Sequence, residues 1–295
     1  MDAVTVILIA LGLFALFFAV IFVSDCMKHK NEFEEKRNWL LVTFIGLYVN
    51  FFDTLGIGSF APTTASLRGF KQCDDRLIPG VLNVGCCIPV MLEAFLFIDK
   101  VEVEIVTLVA LIAAAVVGSY VGSKVVSHLP TKKIQIIMGI ALLITALIFL
   151  LQNTGLWVTG GDNTAIGLSG MNLVIGIVVY FVLGALMPAG VGLYGPGMAV
   201  VYMLGLSPDV AFPLVMGSCA FLMPVASAKF IKEGAYERKP SIGITIGGIF
   251  GVLAAVYLVT SIPKEQLIWL VIIVVTYTAA TLLWAGTRKE AAAAK

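Results

Sequence analysis

The sequence predicts an all-α, polytopic membrane protein, and three observations lead to this prediction. The composition is 60% hydrophobic and 13% charged, with a mean hydropathy of +1.02 over 295 residues. Apolar stretches of about 20 residues, the length that crosses a bilayer, recur along the chain. Two of these stretches are interrupted by glycine and proline at corresponding places. A water-soluble domain of this length could not bury so much apolar surface.

About nine stretches are long enough to span the bilayer. They fall at residues 3–23, 39–60, 77–98, 104–126, 133–151, 171–190, 208–231, 241–261 and 266–285. The first is expected to stay as a helix, because no small-residue cleavage site follows it. The chain then divides into an N-terminal transmembrane helix with a charged loop (1–38), a first repeat (39–151), a linker (152–170), a second repeat (171–287) and a tail (288–295) that resembles a helical linker.

The two repeats are predicted from a self-comparison of the sequence. A shift of 134 residues superposes seven pairs of identical residues, most of them glycine or proline: Gly56 and Gly190, Gly58 and Gly192, Pro62 and Pro196, Ala65 and Ala199, Asp75 and Asp209, Pro79 and Pro213, and Val81 and Val215. Many secondary transporters are built from such repeats. We therefore expect two homologous four-helix repeats with broken or re-entrant helices, plus one extra N-terminal helix.

The sequence leaves the course of the chain after each break open. The stretch from Asn172 to Leu206 has no charged residue and exceeds one crossing, so residues 197–206 are expected to form a half-helix or a re-entrant piece. If this piece dips in and returns, each half has four crossings and the repeats are parallel. If it crosses, the repeats are inverted. The distribution of Lys and Arg favours a cytoplasmic C-terminus, on the same side as loops 24–38 and 229–240.

The breaks themselves lie in DTLGIGSFAPTT (53–64) and PAGVGLYGPG (188–197). A simple kink is the alternative, but irregular backbone at membrane depth is tolerated only where protein buries it or a wet cavity adjoins it, and paired breaks indicate a transporter site. The N-terminus of a half-helix favours an anion through its free N–H groups and its dipole. The residues expected to bind substrate here are Gly56, Gly58, Ser59, Pro62, Thr63, Thr64, Gly190, Gly192, Tyr194, Gly195 and Pro196.

The helix after each break supplies further candidates. Asn83 in the first half, and Gly217 and Ser218 in the second, are small or polar and are expected to face the broken segments. Small-residue helix packing is the alternative explanation. The adjacent Cys86 and Cys87 suggest the alternative of soft-metal binding, because thiolates are ligands of soft metals. No metal site is predicted, because the chain has no CxxC pair and no histidine within a predicted span.

Two acids, Asp53 and Glu93, fall within predicted spans. An acid at membrane depth is a candidate for function, here as a proton-coupling group. The alternative is a structural ion pair, with Arg68 as the partner of Asp53. Neither acid has an acidic counterpart in the second repeat, where Met187 and Ser227 occupy the corresponding positions.

Together these motifs resemble the TauE/SafE sulfite exporter family. GIGSFAP (56–62) and GVGLYGP (190–196) look like variants of the family's glycine run followed by proline. Gly217-Ser218 resembles its small-hydroxyl step, from which Asn83-Val84 departs. The charged segments FIDKVEVE (97–104) and FIKEGAYERK (230–239) occupy the place of the family's charged hairpin. The resemblance covers residues 39 to 285.

The resemblance implies a multi-pass secondary transporter of the cytoplasmic membrane that moves a small sulfur-containing or organic anion, such as sulfite, sulfoacetate or a related sulfonate or carboxylate. Its site would lie at the interface of the repeats, with proton coupling through Asp53. The alternatives are an uncoupled anion channel or permease, and a transporter of soft metals or sulfur species. No cofactor, nucleic-acid partner or enzymatic activity is expected, since nucleotide-binding and hydrolase motifs are absent from the sequence. Self-association stays open.

Overall fold

The computed structural model describes residues 3–55, 58–97, 103–156, 164–258 and 264–287. A 3₁₀ turn at Met187–Ala189 joins two of the helices formed by these residues. The helices are α1 (Ala3–Lys28), α2 (Trp39–Thr54), α3 (Phe60–Gly69), α4 (Ile78–Phe97), α5 (Ile105–Val126), α6 (Thr131–Asn153), α7 (Gly170–Leu186), α8 (Tyr194–Met203), α9 (Pro208–Lys232), α10 (Arg238–Leu258) and α11 (Lys264–Thr287).

The predicted all-α, polytopic class is confirmed. Seven helices in the described part of the chain are long and apolar enough to cross a membrane, against about nine predicted spans. Their outward side chains are apolar as well: Leu13 and Leu16 of α1 are more than half exposed, as is Val174 of α7. Such surfaces are suited to lipid, which does not penalise exposed apolar side chains as water does.

α2 and α3 form a hairpin, the first hairpin, which returns to the end of the molecule where it began. The backbone N–H of Asn38, before α2, donates to the side-chain oxygen of Gln72, after α3, at 2.7 Å. The Arg37 guanidinium likewise donates to the carbonyl of Lys71 at 3.0 Å. The predicted single span at 39–60 is therefore wrong. The helix ends at Thr54, and Gly58, with a φ of 87°, allows the chain to reverse.

α7, the 3₁₀ turn and α8 form a second hairpin of the same kind. The backbone N–H of Ser207, after α8, donates to the carbonyl of Ala165, before α7, at 2.9 Å. Gly190 ends the 3₁₀ turn in the left-handed conformation, with a φ of 94°. α8 is the half-helix predicted at 197–206, and it begins three residues earlier, at Tyr194.

The two hairpins enter from opposite ends of the molecule. One end, the Arg37 end, contains segments 29–38, 70–77, 127–130 and 233–237. The ion pairs Arg37–Glu237, Arg37–Asp74 and His128–Glu233 join these segments. The other, the Glu104 end, contains segments 103–104, 164–169 and 204–207, where the Glu104 N–H donates to the Ile166 carbonyl at 2.9 Å. The helix α5 connects the two ends. Each hairpin therefore returns to the end where it began, and yet the two halves run in opposite directions. The two features occur together because α2 and α7 stop at the hairpin tips and do not cross the molecule.

Each hairpin packs along a helix from the other half of the chain. α2 runs parallel to α10 and α7 runs parallel to α5, with backbone-to-backbone contact at glycine, as small residues permit between transmembrane helices. A Cβ on Gly247 would lie 1.8 Å from the Thr43 carbonyl oxygen, and one on Gly118 would lie 2.0 Å from that of Phe181. α4 packs on α9, and α6 on α11. If each helix from α2 to α6 is exchanged with its counterpart from α7 to α11, α2 with α7 and so on, the same set of helix pairs results. This symmetry agrees with the predicted duplication.

Candidate functional site

The tips of the two hairpins meet at a buried cavity, the central cavity. Its volume is about 40 Å³, more than the roughly 10–15 Å³ that one water molecule needs. The tips are in direct contact: a Cβ on Gly58 would lie 3.6 Å from Tyr194 Cβ, and one on Gly192 would lie 3.8 Å from Phe60 Cβ. The lining comprises Asp53, Gly58, Ser59, Phe60 and Ala61 of the first hairpin, Met187, Gly190, Gly192, Leu193 and Tyr194 of the second, Val90 and Glu93 of α4, Leu142 of α6, and Met216, Cys219 and Met223 of α9.

Both half-helices begin at the central cavity. Phe60 is the first residue of α3 and Tyr194 the first of α8, and both line the cavity. Their first-turn N–H groups lack partners within the helix, and the helix dipole adds partial positive charge there. Pro62 and Pro196 lie in these first turns, where a missing N–H costs no hydrogen bond. The arrangement places two anion-favouring helix ends at one buried site.

Two carboxylic acids also line the central cavity. Asp53 is 5% exposed, and its carboxylate interacts with the hydroxyl and the backbone N–H of Ser59. Glu93 is 1% exposed and accepts a hydrogen bond from the Thr54 hydroxyl at 2.8 Å. Among the described residues, no Lys, Arg or His lines this cavity. Two ionised carboxylates in such a place would be costly, because nothing cationic in the lining offsets their desolvation.

Arg68 is not the partner of Asp53, which corrects the alternative drawn from the sequence. Its Nε lies 3.2 Å from Asp75 Oδ2, and its guanidinium also donates to Thr281 of α11. Asp75 further accepts from Gln135 of α6 at 2.8 Å. Arg68 stands near the C-terminal end of α3, whereas the cavity adjoins the N-terminal end, so the length of the helix separates the two groups.

The other residues predicted at the breaks lie beside the cavity or outside the description. Gly56 falls outside the described residues. The backbone of Gly195 lies in the first turn of α8, next to Pro196. The Thr64 hydroxyl donates to the Phe60 carbonyl at 2.8 Å, so it is engaged within its own helix. The Thr63 hydroxyl is fully buried and makes no hydrogen bond within the described chain.

The helices after the breaks reach the central cavity with residues other than those predicted. Asn83 precedes Glu93 by nearly three turns of α4, and its Nδ2 donates to the Pro79 carbonyl at 2.8 Å. Gly217 and Ser218 are buried on α9, but Cys219, the next residue, is the one that lines the cavity. Consecutive helical residues point about 100° apart, so the face that meets the hairpin tips excludes Ser218.

Four sulfur-containing side chains of the lining were not predicted. Met216, Cys219 and Met223 follow the i, i+3, i+7 spacing of one helix face, and Met187 lies opposite in the second hairpin. The spacing was the available signal. It is also the ordinary pattern of a buried helix face, so sequence alone gives it no special meaning. Cys86 and Cys87 are free and buried, and neither lines the cavity.

A cluster of Arg37, Asp74 and Glu237, the Arg37 cluster, joins three segments at the Arg37 end. Arg37 Nε lies 2.7 Å from Glu237 Oε2, and Arg37 Nη2 lies 3.0 Å from Asp74 Oδ1. The Asp74 backbone N–H also donates to Glu237 at 2.8 Å. The hydrogen bond with Glu237 raises the pKa of Arg37. Cys73 lies under this cluster, 6% exposed, and burial raises the pKa of its thiol well above the ordinary value.

Comparison with known proteins adds one match. The family model described as sulfite exporter TauE/SafE matches residues 2–149, half of the chain, from α1 through most of α6. The match includes α1, whereas the resemblance noted in the sequence starts at residue 39. For the residues after 149 the resemblance stays a prediction. Searches of curated proteins and of solved structures found no match.

Proposed function

The chain belongs to the TauE/SafE sulfite exporter family, and from this premise we propose that it moves a small sulfur-containing or organic anion across the cytoplasmic membrane through the central cavity. The family is one of transporters, and the chain is a multi-pass membrane protein. The observation that carries the proposal is the convergence of two half-helix N-termini, from opposite ends of the molecule, on one buried cavity.

The anion is held by hydrogen-bond donors and helix ends instead of a buried cation. Ser59 and Tyr194 bring hydroxyl groups to the cavity, and the first turns of α3 and α8 bring backbone N–H groups. Gly58 and Gly192 add no side chain between the tips. A site of this kind avoids the cost of a formal positive charge at membrane depth. Sulfite, sulfoacetate and related sulfonates or carboxylates offer oxygens that accept such hydrogen bonds.

The Arg37 end is proposed to face the cytoplasm. Lys264 is the one described Lys or Arg at the Glu104 end. The other described Lys and Arg residues lie at the Arg37 end or within a turn or two of it: Lys28, Lys30, Lys36, Arg37, Arg68, Lys71, Arg76, Lys124, Lys132, Lys133, Lys229, Lys232, Arg238 and Lys239. Cytoplasmic segments carry such an excess. Loop 70–77 adds to this excess because the first hairpin returns, and so do Lys124, Lys132 and Lys133, which flank loop 127–130.

Binding is tested by thermal unfolding of the purified protein with sulfite, sulfoacetate, sulfate and simple carboxylates. We expect at least one sulfur-containing anion or carboxylate to raise the unfolding temperature. Gly192→Leu should remove this shift, because the side chain would occupy the contact between the tips. Gly69→Leu is the matched control, since a Cβ there meets no atom within 4 Å. Equal shifts in both variants would contradict a site at the tips.

Coupling is tested separately, in vesicles that contain the purified protein. An uncoupled channel carries the anion down its own gradient whatever the pH difference across the membrane. A proton-coupled carrier concentrates labelled anion against its gradient when a pH difference is imposed, and it shows counterflow. We expect the carrier behaviour, because the acid Asp53 lines the same cavity as the two helix ends.

The sulfur atoms of the cavity favour a second candidate, transport of a soft monovalent cation. Thiolate and thioether ligands select ions such as Cu⁺, and Met187, Met216, Cys219 and Met223 share the lining with two acids. The described residues hold no group of three His, Cys, Asp or Glu that could bind a metal ion, so the ligands of such an ion would have to include the methionine thioethers. Thermal shifts with Ag⁺, compared between Cys219→Ser and Cys87→Ser, test this candidate. A shift lost only in Cys219→Ser would support it.

A further inference from the structure

The N-terminus of α3 already has an anionic group beside it in this structure. Ser59, the residue before α3, makes no side-chain hydrogen bond to its own helix. Its hydroxyl and its backbone N–H interact instead with the Asp53 carboxylate, which lines the same cavity. Asp53 lies at the end of α2, so the first hairpin folds its own acid back onto the start of its own half-helix. A carboxylate at a helix N-terminus is favoured for the same reasons as a bound anion.

The second hairpin has no such group. The position that corresponds to Asp53 is Met187, which lines the cavity with a neutral side chain. The remaining described lining from α7 and α8, and from the turn between them, is glycine, leucine and tyrosine. The two helix ends that face the central cavity therefore differ, one with an acid of the protein beside it and one without.

We propose that the Asp53 carboxylate is a tethered competitor of the transported anion. Ionised Asp53 occupies the N-terminus of α3 through Ser59 and excludes the substrate. When Asp53 takes up a proton, its carboxyl group becomes neutral and yields this helix end to the anion. One proton is then bound for each anion bound, and no other group needs to change charge. This inference rests on the proposed function and concerns how anion binding at that site is controlled.

The groups that face Asp53 agree with this exchange. Glu93 and Cys86 of α4 and Cys219 of α9 interact with its charge. Ser59 interacts with it through its hydroxyl and backbone N–H, and Tyr194 of α8 lines the same cavity. None of these groups is a cation, and α6 contributes only Leu142 to the lining. An ionised Asp53 and a bound anion would therefore repel each other across a small cavity without compensation, so binding one excludes the other.

The test is the pH dependence of binding of methanesulfonate, whose own charge is constant between about pH 5 and about pH 9. In the wild-type protein we expect the dissociation constant to rise about tenfold per pH unit once Asp53 ionises, because one proton must bind with each anion. In Asp53→Asn, which is neutral at every pH, binding should be tight and independent of pH. Asp75→Asn, which removes an acid outside the cavity and keeps Asp53, should retain the slope.

The outcomes separate this inference from the proposed function. Two results would overturn the proposed role of Asp53 without contradicting the anion site: binding by Asp53→Asn with the wild-type slope, and wild-type binding without any pH dependence. No binding of methanesulfonate or sulfite to the wild-type protein at any pH would count against the proposed function itself. A second measurement needs no variant. In a weakly buffered solution, at a pH where the dissociation constant rises with pH, saturating methanesulfonate should draw about one proton from solution for each site filled, and an uptake of zero there would overturn the inference.

Discussion

Gly58 and Gly192 occupy corresponding places in the two tips, yet their backbones differ. Gly58 has a φ of 87°, a region that residues with a Cβ rarely adopt. Gly192 is not among the glycines with positive φ, and a Cβ there would make an ordinary contact with Phe60 at 3.8 Å. Conformation thus requires glycine at Gly58, whereas the space between the tips at Gly192 admits a Cβ and excludes only a larger side chain.

Alanine substitutions should separate these two requirements. Gly58→Ala should lower the free energy of unfolding by about 1–2 kcal/mol, the cost of a left-handed conformation for a residue with a Cβ. Gly192→Ala should change it by less than about 0.5 kcal/mol. Thermal unfolding of the two variants in the same detergent measures the difference. A larger loss for Gly192→Ala than for Gly58→Ala would contradict the assignment.

At the scale of residues, the sequence predicted the tips better than the surrounding wall. Gly58, Gly192 and Asp53 were identified because glycine and an acid are unusual at membrane depth. Met216 and Leu142 were not, because an apolar residue on an apolar helix carries no sign of which neighbour it meets. That information depends on the rotation of α6 and α9, which tertiary packing sets.

At the scale of elements, the close contact between α2 and α10 requires glycine at position 247. A Cβ on Gly247 would overlap the Thr43 carbonyl oxygen at 1.8 Å, so the helices must separate to admit it. We expect Gly247→Ala to lower the free energy of unfolding by about 1–3 kcal/mol, the usual cost of overpacking. Gly69→Ala, in open space, is the control. Equal effects of the two substitutions would argue against this helix contact.

The Arg37 cluster is expected to hold its end of the molecule closed. Glu237 is 4% exposed at its side chain and Arg37 is 15% exposed, so Glu237→Gln leaves a largely buried guanidinium short of charge and should cost about 3 kcal/mol. Cys73, buried below, should then react faster with maleimide, because exposure also relieves the burial that raises the pKa of its thiol.

The matched control for the Arg37 cluster is Lys229→Gln. It removes the Lys229–Glu233 pair, whose side chains are 20% and 27% exposed. Pairs of this kind contribute less than about 1 kcal/mol, and this pair joins the last turn of α9 to its C-cap residue instead of joining distant segments. Labelling of Cys73 at the wild-type rate in Glu237→Gln would contradict a closing role for the cluster.

The courses of the hairpins could not be predicted from the sequence, although their positions could. Hydropathy measures the apolar length of a segment and not its direction, so 39–60 was assigned as a crossing. The direction is set by contacts between residues far apart in sequence, such as Asn38 with Gln72. Gly58 and Pro62 indicated that the helix breaks, but a break permits either a kink or a reversal.

At the scale of the whole molecule, the proposed orientation is open to a direct check. A membrane-impermeant maleimide should label a cysteine placed at Ile166, which is 49% exposed at the Glu104 end, in intact cells. A cysteine at Lys30, exposed at the Arg37 end, should be labelled only after the cells are opened. The converse pattern would mean that the Arg37 end faces outward, against the distribution of Lys and Arg.

The class and overall organisation followed from composition, whereas the number of crossings did not. An apolar fraction of 60% and apolar stretches of bilayer length leave few alternatives to a helical membrane protein. The crossing count depends on whether each broken helix returns, and a single reversal changes the side of every loop after it. The sequence placed the C-terminal segment on the same side as loop 24–38. The structure keeps this placement, because two reversals, one in each half, cancel each other.

The pairing of α2 with α10 also has a consequence for synthesis. The ion pair between Arg37 and Glu237 joins residues 200 positions apart. At about 5–20 residues per second, a ribosome needs roughly 10–40 s to make the partner after the first hairpin has emerged. During that interval the glycine-matched face of α2 is without its neighbour, so lipid or the insertion machinery must cover it. The first half of this chain is therefore made before its packing partners exist, and its helix contacts are completed only after the second half has been made.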